Sequence, residues 1–200
     1  MGSFDTLNLQ SLQLGEISIS SRGAKTCPLT SNNQPIQVQL AGVRTPFGTN
    51  SWEPSDRQNL EYSLDTTTAA AVALLDEWVV QAVVQRSEQF FGKPLTQEQV
   101  VDKMKCSVTQ AKKGDFKPTL RSKINLAGTK IVRVWTLDGN PRGMPEDLRT
   151  CQITANLHIR SLWFMGPSFG ITFETSDLQV CEEAAMCPFP RSPFSDSGPH

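Results

Sequence analysis

This sequence is short of the residues and motifs on which most enzymes depend. It has two histidines, His158 and His200. A Ser-His-Asp arrangement would have to use one of them, and a catalytic base needs an oriented partner. His158 falls on the polar face of a predicted strand, where a solvated side chain is expected. No Walker loop, GxGxxG, HExxH or GxSxG segment occurs. The acidic residues are spread out, with no motif pairing them. Five cysteines, Cys27, Cys106, Cys151, Cys181 and Cys187, contain no CxxC pair. A structural zinc site needs four clustered ligands, and an odd, scattered set makes no disulfide framework. Buried thiols in a reducing compartment are expected. These absences point away from catalysis: no catalytic residue, metal ligand or cofactor is expected.

Long apolar runs and a strong net charge are missing too. No window approaches the roughly 18 apolar residues of a membrane span, so no membrane contact is expected. The start, MGSFDTLNLQ, lacks the basic n-region and apolar stretch of a signal peptide. The expected location is intracellular, in the cytoplasm or nucleus of the host cell if the source is viral. Gly2 and Thr6 fit a short myristoylation pattern, and MGS equally fits a cloning scar. Net charge is -1 and the pI is near 6.1. An even basic coat is thereby excluded, while a local basic face is not. A length of 200 residues with 38% hydrophobic content suits one domain with a real core.

What is present is mostly alternation of period two, the signature of strands. Residues 7 to 20, LNLQSLQLGEISIS, read as one curved strand with a slip near Gly15. SSRGAKTCPLTSNNQP reads as a loop. IQVQLAGV alternates cleanly, TPFGTNSWEPSDRQ is a second loop, and NLEYSLD is a short strand. Thr66 to Phe91 is predicted as one helix, capped by Thr66, Thr67 or Thr68. Val72, Leu75, Val79, Ala82 and Val83 form its apolar face, Trp78 broadens it, and Gly92 and Pro94 stop it. A shorter helix follows in LTQEQVVDKMK, with Thr96 as cap and Gln99 completing a capping box.

Strands then resume in TLRSKINL, TKIVRVWTL and CQITANLHIRSLWFM. In the last, Cys151, Ile153, Ala155, Leu157, Ile159, Trp163 and Met165 share the apolar face. GPSFG reads as a hairpin turn into FGITFETSDLQV. One domain over residues 1–183 is expected, followed by a flexible Pro/Ser-rich tail over 184–200. Six or so strands interrupted by one helical region, without βαβ alternation, exclude a doubly wound sheet. The expected class is mainly β, a small barrel or sandwich.

Charge is unevenly distributed. From Asp102 to Arg160 there are twelve Lys or Arg against five Asp or Glu, a balance of +7, while the remainder carries -8. Aromatics interleave with these cations. Lysine and arginine neutralise phosphates and release counterions, and aromatic rings stack on unpaired bases. Lys112, Lys113, Lys117, Arg121, Lys123 and Arg133 are candidate phosphate contacts, with Arg160 beside them. Phe116 and Trp135 are candidate stacking rings, with Phe164 a third. Arg121 and Lys123 lie two apart on one strand face, with Leu120, Ile124 and Leu126 opposite.

The same half carries a resemblance. KKGDFKPTLRSKI, a variable hairpin and then IRSLWFMGPSFGITFETSDLQV resemble the single-stranded DNA-binding-like proteins of nucleocytoplasmic large DNA viruses. The matching positions are Lys112, Lys113, Gly114, Phe116, Pro118, Leu120 and Lys123. They continue with Trp163, Phe164, Phe169, Gly170, Ile171, Thr172 and Phe173. The match spans roughly residues 100 to 182. That family is similar in layout to the OB-fold single-stranded DNA-binding proteins of some phages. The resemblance implies an OB-type Greek-key barrel with a helical insertion between the third and fourth strands. It also implies sequence-independent, non-enzymatic binding of single-stranded DNA in replication, recombination or repair. RNA is a related ligand, and replication proteins or further copies of the chain are expected partners. One departure is the end of the chain, where Arg191 and several prolines dilute Glu182, Glu183 and Asp196. The competing expectation is an assembly protein that uses the barrel for protein contacts, with an exposed apolar patch as its mark.

Overall fold

The computed structural model describes residues 2–21, 23–50, 55–110 and 116–182. Its strands in chain order are β1 (Leu12–Leu14), β2 (Ser18–Ile19), β3 (Lys25–Ser31), β4 (Gln34–Val43), β5 (Thr49–Asn50) and β6 (Arg57–Ser63). Three helices follow, α1 (Thr66–Gln85), α2 (Ser87–Phe91) and α3 (Gln97–Val101). Then come β7 (Met104–Lys105), β8 (Val108–Thr109), β9 (Thr119–Asn125), β10 (Arg133–Trp135), β11 (Pro141–Arg142), β12 (Cys151–Met165) and β13 (Ser168–Glu182).

The spine is the β12–β13 hairpin, two fifteen-residue strands joined through Gly166 and Pro167. Gly166 takes φ of 56°, which glycine adopts without a Cβ penalty. Outward from β12 lie β4 and β3; β3 pairs with both. The far side of β13 is shared along its length by three parallel partners, β7, β9 and β10. β6 adds to β9, and β5 to β6. The path β1-β3-β4-β12-β13-β9-β6-β5 does not return on itself. The architecture is mainly β with a helical insertion, as expected; the sheet is not closed, so its path does not complete the OB-type Greek-key barrel that the resemblance implies.

Strand boundaries differ from the sequence expectation where local chemistry is weak. Residues 7 to 20 are not one curved strand. Asn8 accepts from the Gln10 N–H and opens a 3-10 turn over Leu9–Ser11, leaving only β1 and β2 as short pieces. The segment expected as a loop contains β3, because Cys27 and Leu29 find buried places beside β12. Its turn residues, Asn32 and Asn33, do form the connection, both at positive φ, and lead into β4.

The predicted helix over 66–91 breaks at Arg86, whose backbone leaves helical geometry, giving α1 and α2. Asp65, not a threonine, is the cap: its Oδ1 accepts from the Thr68 N–H at 2.7 Å. The Thr96–Gln99 capping box forms as read. The helices lie between β6 and β7; the extra short strands displace the expected third-and-fourth placement. By length and composition alone α1 could cross a membrane, contrary to the expectation that no window would approach a span. In this fold its Val72, Leu75, Val79 and Val83 are fully buried in the core.

Candidate nucleic-acid interface

β9 sets the site. Its residues alternate in burial: Leu120, Ser122 and Ile124 face the core, and Arg121 and Lys123 face outward. Antiparallel pairing places Glu61 beside Arg121, Asn59 beside Lys123 and Arg57 beside Asn125. The Arg121 Nε and Nη2 donate to Glu61 Oε1 at 3.0 and 2.6 Å. The Lys123 Nζ donates to Asn59 Oδ1 at 2.8 Å. Partial burial, and then the neighbouring charges of Arg57 and Arg121, push the Lys123 ammonium below its ordinary value.

A groove of about 930 Å³ opens over this face. Five cations line it: Lys25, Arg57, Lys105, Arg121 and Lys123, together with Trp163. No carboxylate-bearing residue is among its described lining. Glu61 lies at its margin, covered by Arg121, with a side chain only 12% exposed. The Lys25 Nζ donates to the Phe90 carbonyl at 2.8 Å, which ties that wall to the end of α2. Among the described residues neither Arg57 nor Lys105 has an ion-pair partner. The opposite wall, residues 104–109, is held to α1 by Asp76. Asp76 accepts from the Ser107 N–H at 2.7 Å and the Ser107 hydroxyl at 2.6 Å. Burial raises the Asp76 carboxyl above its ordinary value, against those two hydrogen bonds.

The residues singled out by sequence fall into three sets. Arg121 and Lys123 are in the groove, on the face expected for them. Phe116 and Lys117 are exposed on the connection before β9, with the Phe116 ring 78% accessible. Lys112 and Lys113 lie outside the described residues. Arg133, Trp135 and Arg160 are outside the groove lining and are held by buried acids. Asp177 accepts from the Arg133 Nη2 at 3.0 Å and the Trp135 Nε1 at 3.1 Å. Burial would raise the Asp177 carboxyl, but hydrogen bonds from Arg133, Ser176 and Trp135 hold it below its ordinary value. Glu174 Oε2 accepts from the Arg160 Nε at 2.9 Å.

Phe164 is mainly a core ring, although it also contributes to the groove lining. It is 8% exposed and stacks between Phe90 and Phe169, with centroids at 4.6 and 5.6 Å. The cause is a register shift between Ile159 and Ser161. Before it, Cys151 through Ile159 are buried at alternate positions as predicted. After it the phase inverts, so Leu162 and Phe164 turn inward while Trp163 and Met165 turn outward. The sequence therefore assigned Trp163 to the core and missed it as a groove residue. The glycine at position 170, directly across from Trp163, was the available signal.

Three other expectations change. Lys25 and Arg57 were read within loops and were not candidates; pairing to β2 and β9 brings them into the lining. His158 is half-buried rather than solvated. Among the described residues its Nδ1 has no hydrogen-bond partner. Burial and Arg160 press the imidazole below its ordinary value, against Glu174 and Asp177. Of the described cysteines, Cys27 and Cys151 are buried thiols, but Cys106 is exposed in the groove. Among the described residues no group of three or more His, Cys, Asp or Glu is placed to hold a metal ion.

No protein-family model matches this chain, and no curated protein matches it. Among solved structures, it is similar to the single-stranded DNA-binding protein of bacteriophage Enc34 in complex with single-stranded DNA. That match has a TM-score of 0.48 and 6% identity, over 86% of this chain and 97% of the other. The form without DNA gives a TM-score of 0.47 and 9% identity, over 92% and 98%.

Proposed function

We propose that this chain binds single-stranded DNA non-enzymatically and without sequence preference, in the groove between the Lys25 and Lys105 walls, and acts in DNA replication, recombination or repair. The observation that carries the proposal is the groove's composition: five cations and an indole, with no carboxylate among the described lining. Like charges gathered without an anion are unfavourable on their own. A phosphate backbone relieves that cost and releases counterions, which gives affinity for any sequence. Arg121 is already paired with Glu61, so Lys25, Arg57, Lys105 and Lys123 supply the uncommitted charge.

The test is a fluorescence-anisotropy titration of a labelled single strand at low and moderate salt, beside the same duplex. The expected result is binding that weakens with salt, with a log–log slope of about -3 for four neutralised phosphates at roughly 0.7 each. Duplex binding is expected to be much weaker. No binding even at low salt would overturn the proposal and move the function to protein contacts, the assembly alternative.

A further inference from the structure

Trp163 sits at an interior position of the sheet, on β12 with β3 on one side and β13 on the other. Across these strands runs a row of four paired positions: Thr26, Trp163, Gly170 and Lys105. Paired positions share a face, and all of this row except Gly170 appears in the groove lining. The indole lies over Gly170. A Cβ built there would sit 2.9 Å from Cζ2, 3.0 Å from Cε2 and 3.1 Å from Nε1 of the ring. Any side chain at 170 would push the indole out of place. On the other side is Thr26, a small residue. The ring is thus held low against the sheet, half-buried, with its remaining surface toward the groove. Met165, two residues on and 74% exposed, stands on the same side of the strand.

We infer that Trp163, seated on Gly170, is a stacking platform for one unpaired nucleobase, with Gly170 as its positioning residue and Lys105 placed for the adjoining phosphate. This rests on the groove as the DNA site and specifies how a base is held there. A half-exposed indole with a cation one strand beyond its glycine seat offers a flat apolar surface beside a charge, which is the chemistry of a nucleotide with its base free. A paired base in a duplex presents no such face. The bland alternative is that Trp163 only shields the bare backbone of Gly170, as aromatic residues do for glycines in sheets.

The two differ in an experiment on the full chain with two probes, an oligodeoxythymidylate and an abasic sugar–phosphate strand of equal length. If Trp163 stacks, the wild type binds the abasic strand at least about 5-fold more weakly. In Trp163→Ala that ratio falls toward one while the salt slope is unchanged. Gly170→Ala gives the same loss of base dependence with the ring still present, and Trp163→Phe retains part of it. Should Trp163→Ala fail to fold, Trp163→Phe and Gly170→Ala decide the matter. Equal wild-type affinity for the two strands, or an unchanged ratio in the variants, overturns the platform and leaves the phosphate groove standing. Failure of the wild type to bind either strand defeats the groove itself.

Discussion

Two tryptophan-and-cation pairs lie on this sheet, and they have opposite fates. Trp135 and Arg133 both donate to the buried Asp177 carboxylate, so ring and guanidinium are committed within the protein. Trp163 and Lys105 have no acid between them; a glycine separates them, and both face the groove. Each sets an indole beside a cation, an arginine two residues away on the same strand in one case and a lysine from a distant strand in the other. What separates them is the third residue, Asp177 in one case and Gly170 in the other. A buried carboxylate consumes the donors around it, because leaving it unpaired costs free energy. A glycine consumes nothing and leaves a seat.

Several substitutions break or sharpen this comparison. The largest effect is expected at Phe164, which shares a strand and the groove lining with Trp163 but is stacked into the core. Phe164→Ala is expected to lose about 3–5 kcal/mol of stability by chemical denaturation. Intact stability with lost DNA binding would instead give Phe164 a binding role rather than a packing one. Next is the double variant Lys105→Ala with Lys123→Ala. The magnitude of its salt slope for single-stranded DNA is expected to fall by about 1.4, roughly 0.7 per cation removed. A slope equal to wild type would place the phosphates elsewhere.

Arg133→Ala reverses that pattern. It leaves Asp177 and the Trp135 N–H with a broken network, so a loss of about 1–2 kcal/mol is expected, trimmed by the exposure of Arg133. Affinity for single-stranded DNA should stay within about 2-fold; a large loss of affinity in a stable variant would return Arg133 to the interface. Arg121→Ala is a less clean probe than sequence suggested, because it strips buried Glu61 of its ion-pair partner, leaving only the Thr119 hydroxyl, and lowers stability and binding together.

The smallest effect concerns Asp76, whose carboxyl is raised in the folded chain by burial. A group raised above its unfolded value of 3.8 takes up its proton more readily when folded, so its contribution to stability grows as pH falls through the folded value. Asp177 is lowered and acts in the opposite sense: its contribution is present above the unfolded value and is lost as pH falls through the folded one. Asp76→Asn removes the first contribution alone. Denaturation midpoints compared between pH 7 and pH 4 should therefore fall more steeply in Asp76→Asn than in wild type. Parallel profiles would refute the assignment.

Much of the fold was legible because its signals are local. The Thr96–Gln99 capping box, the Gly166 turn and the alternation from Cys151 to Ile159 each depend on residues within a few positions of one another. Part of the site was legible for the same reason: Arg121 and Lys123 are two apart on a strand, so their shared face follows from the pleat. The rest was hidden by long-range pairing. Lys25 and Arg57 looked like loop residues because nothing near them in sequence reveals β3 pairing with β12, or β6 with β9. Trp163 was hidden by a single extra residue at Arg160, since one step in a strand exchanges its two faces.

By itself the sequence determined a mainly β chain with one helical insertion, a basic and aromatic second half, and the outward pair Arg121 and Lys123. The tertiary structure alone decided which of those cations remain uncommitted, which ring faces solvent, and that the sheet stays open. The reason is physical. Composition counts charges and rings, but a charge is available only if no buried acid has claimed it, and a ring only if the register of its strand turns it outward. Both depend on partners 14 to 44 residues away, such as Glu174 for Arg160 and Asp177 for Arg133, which meet only once the sheet has formed.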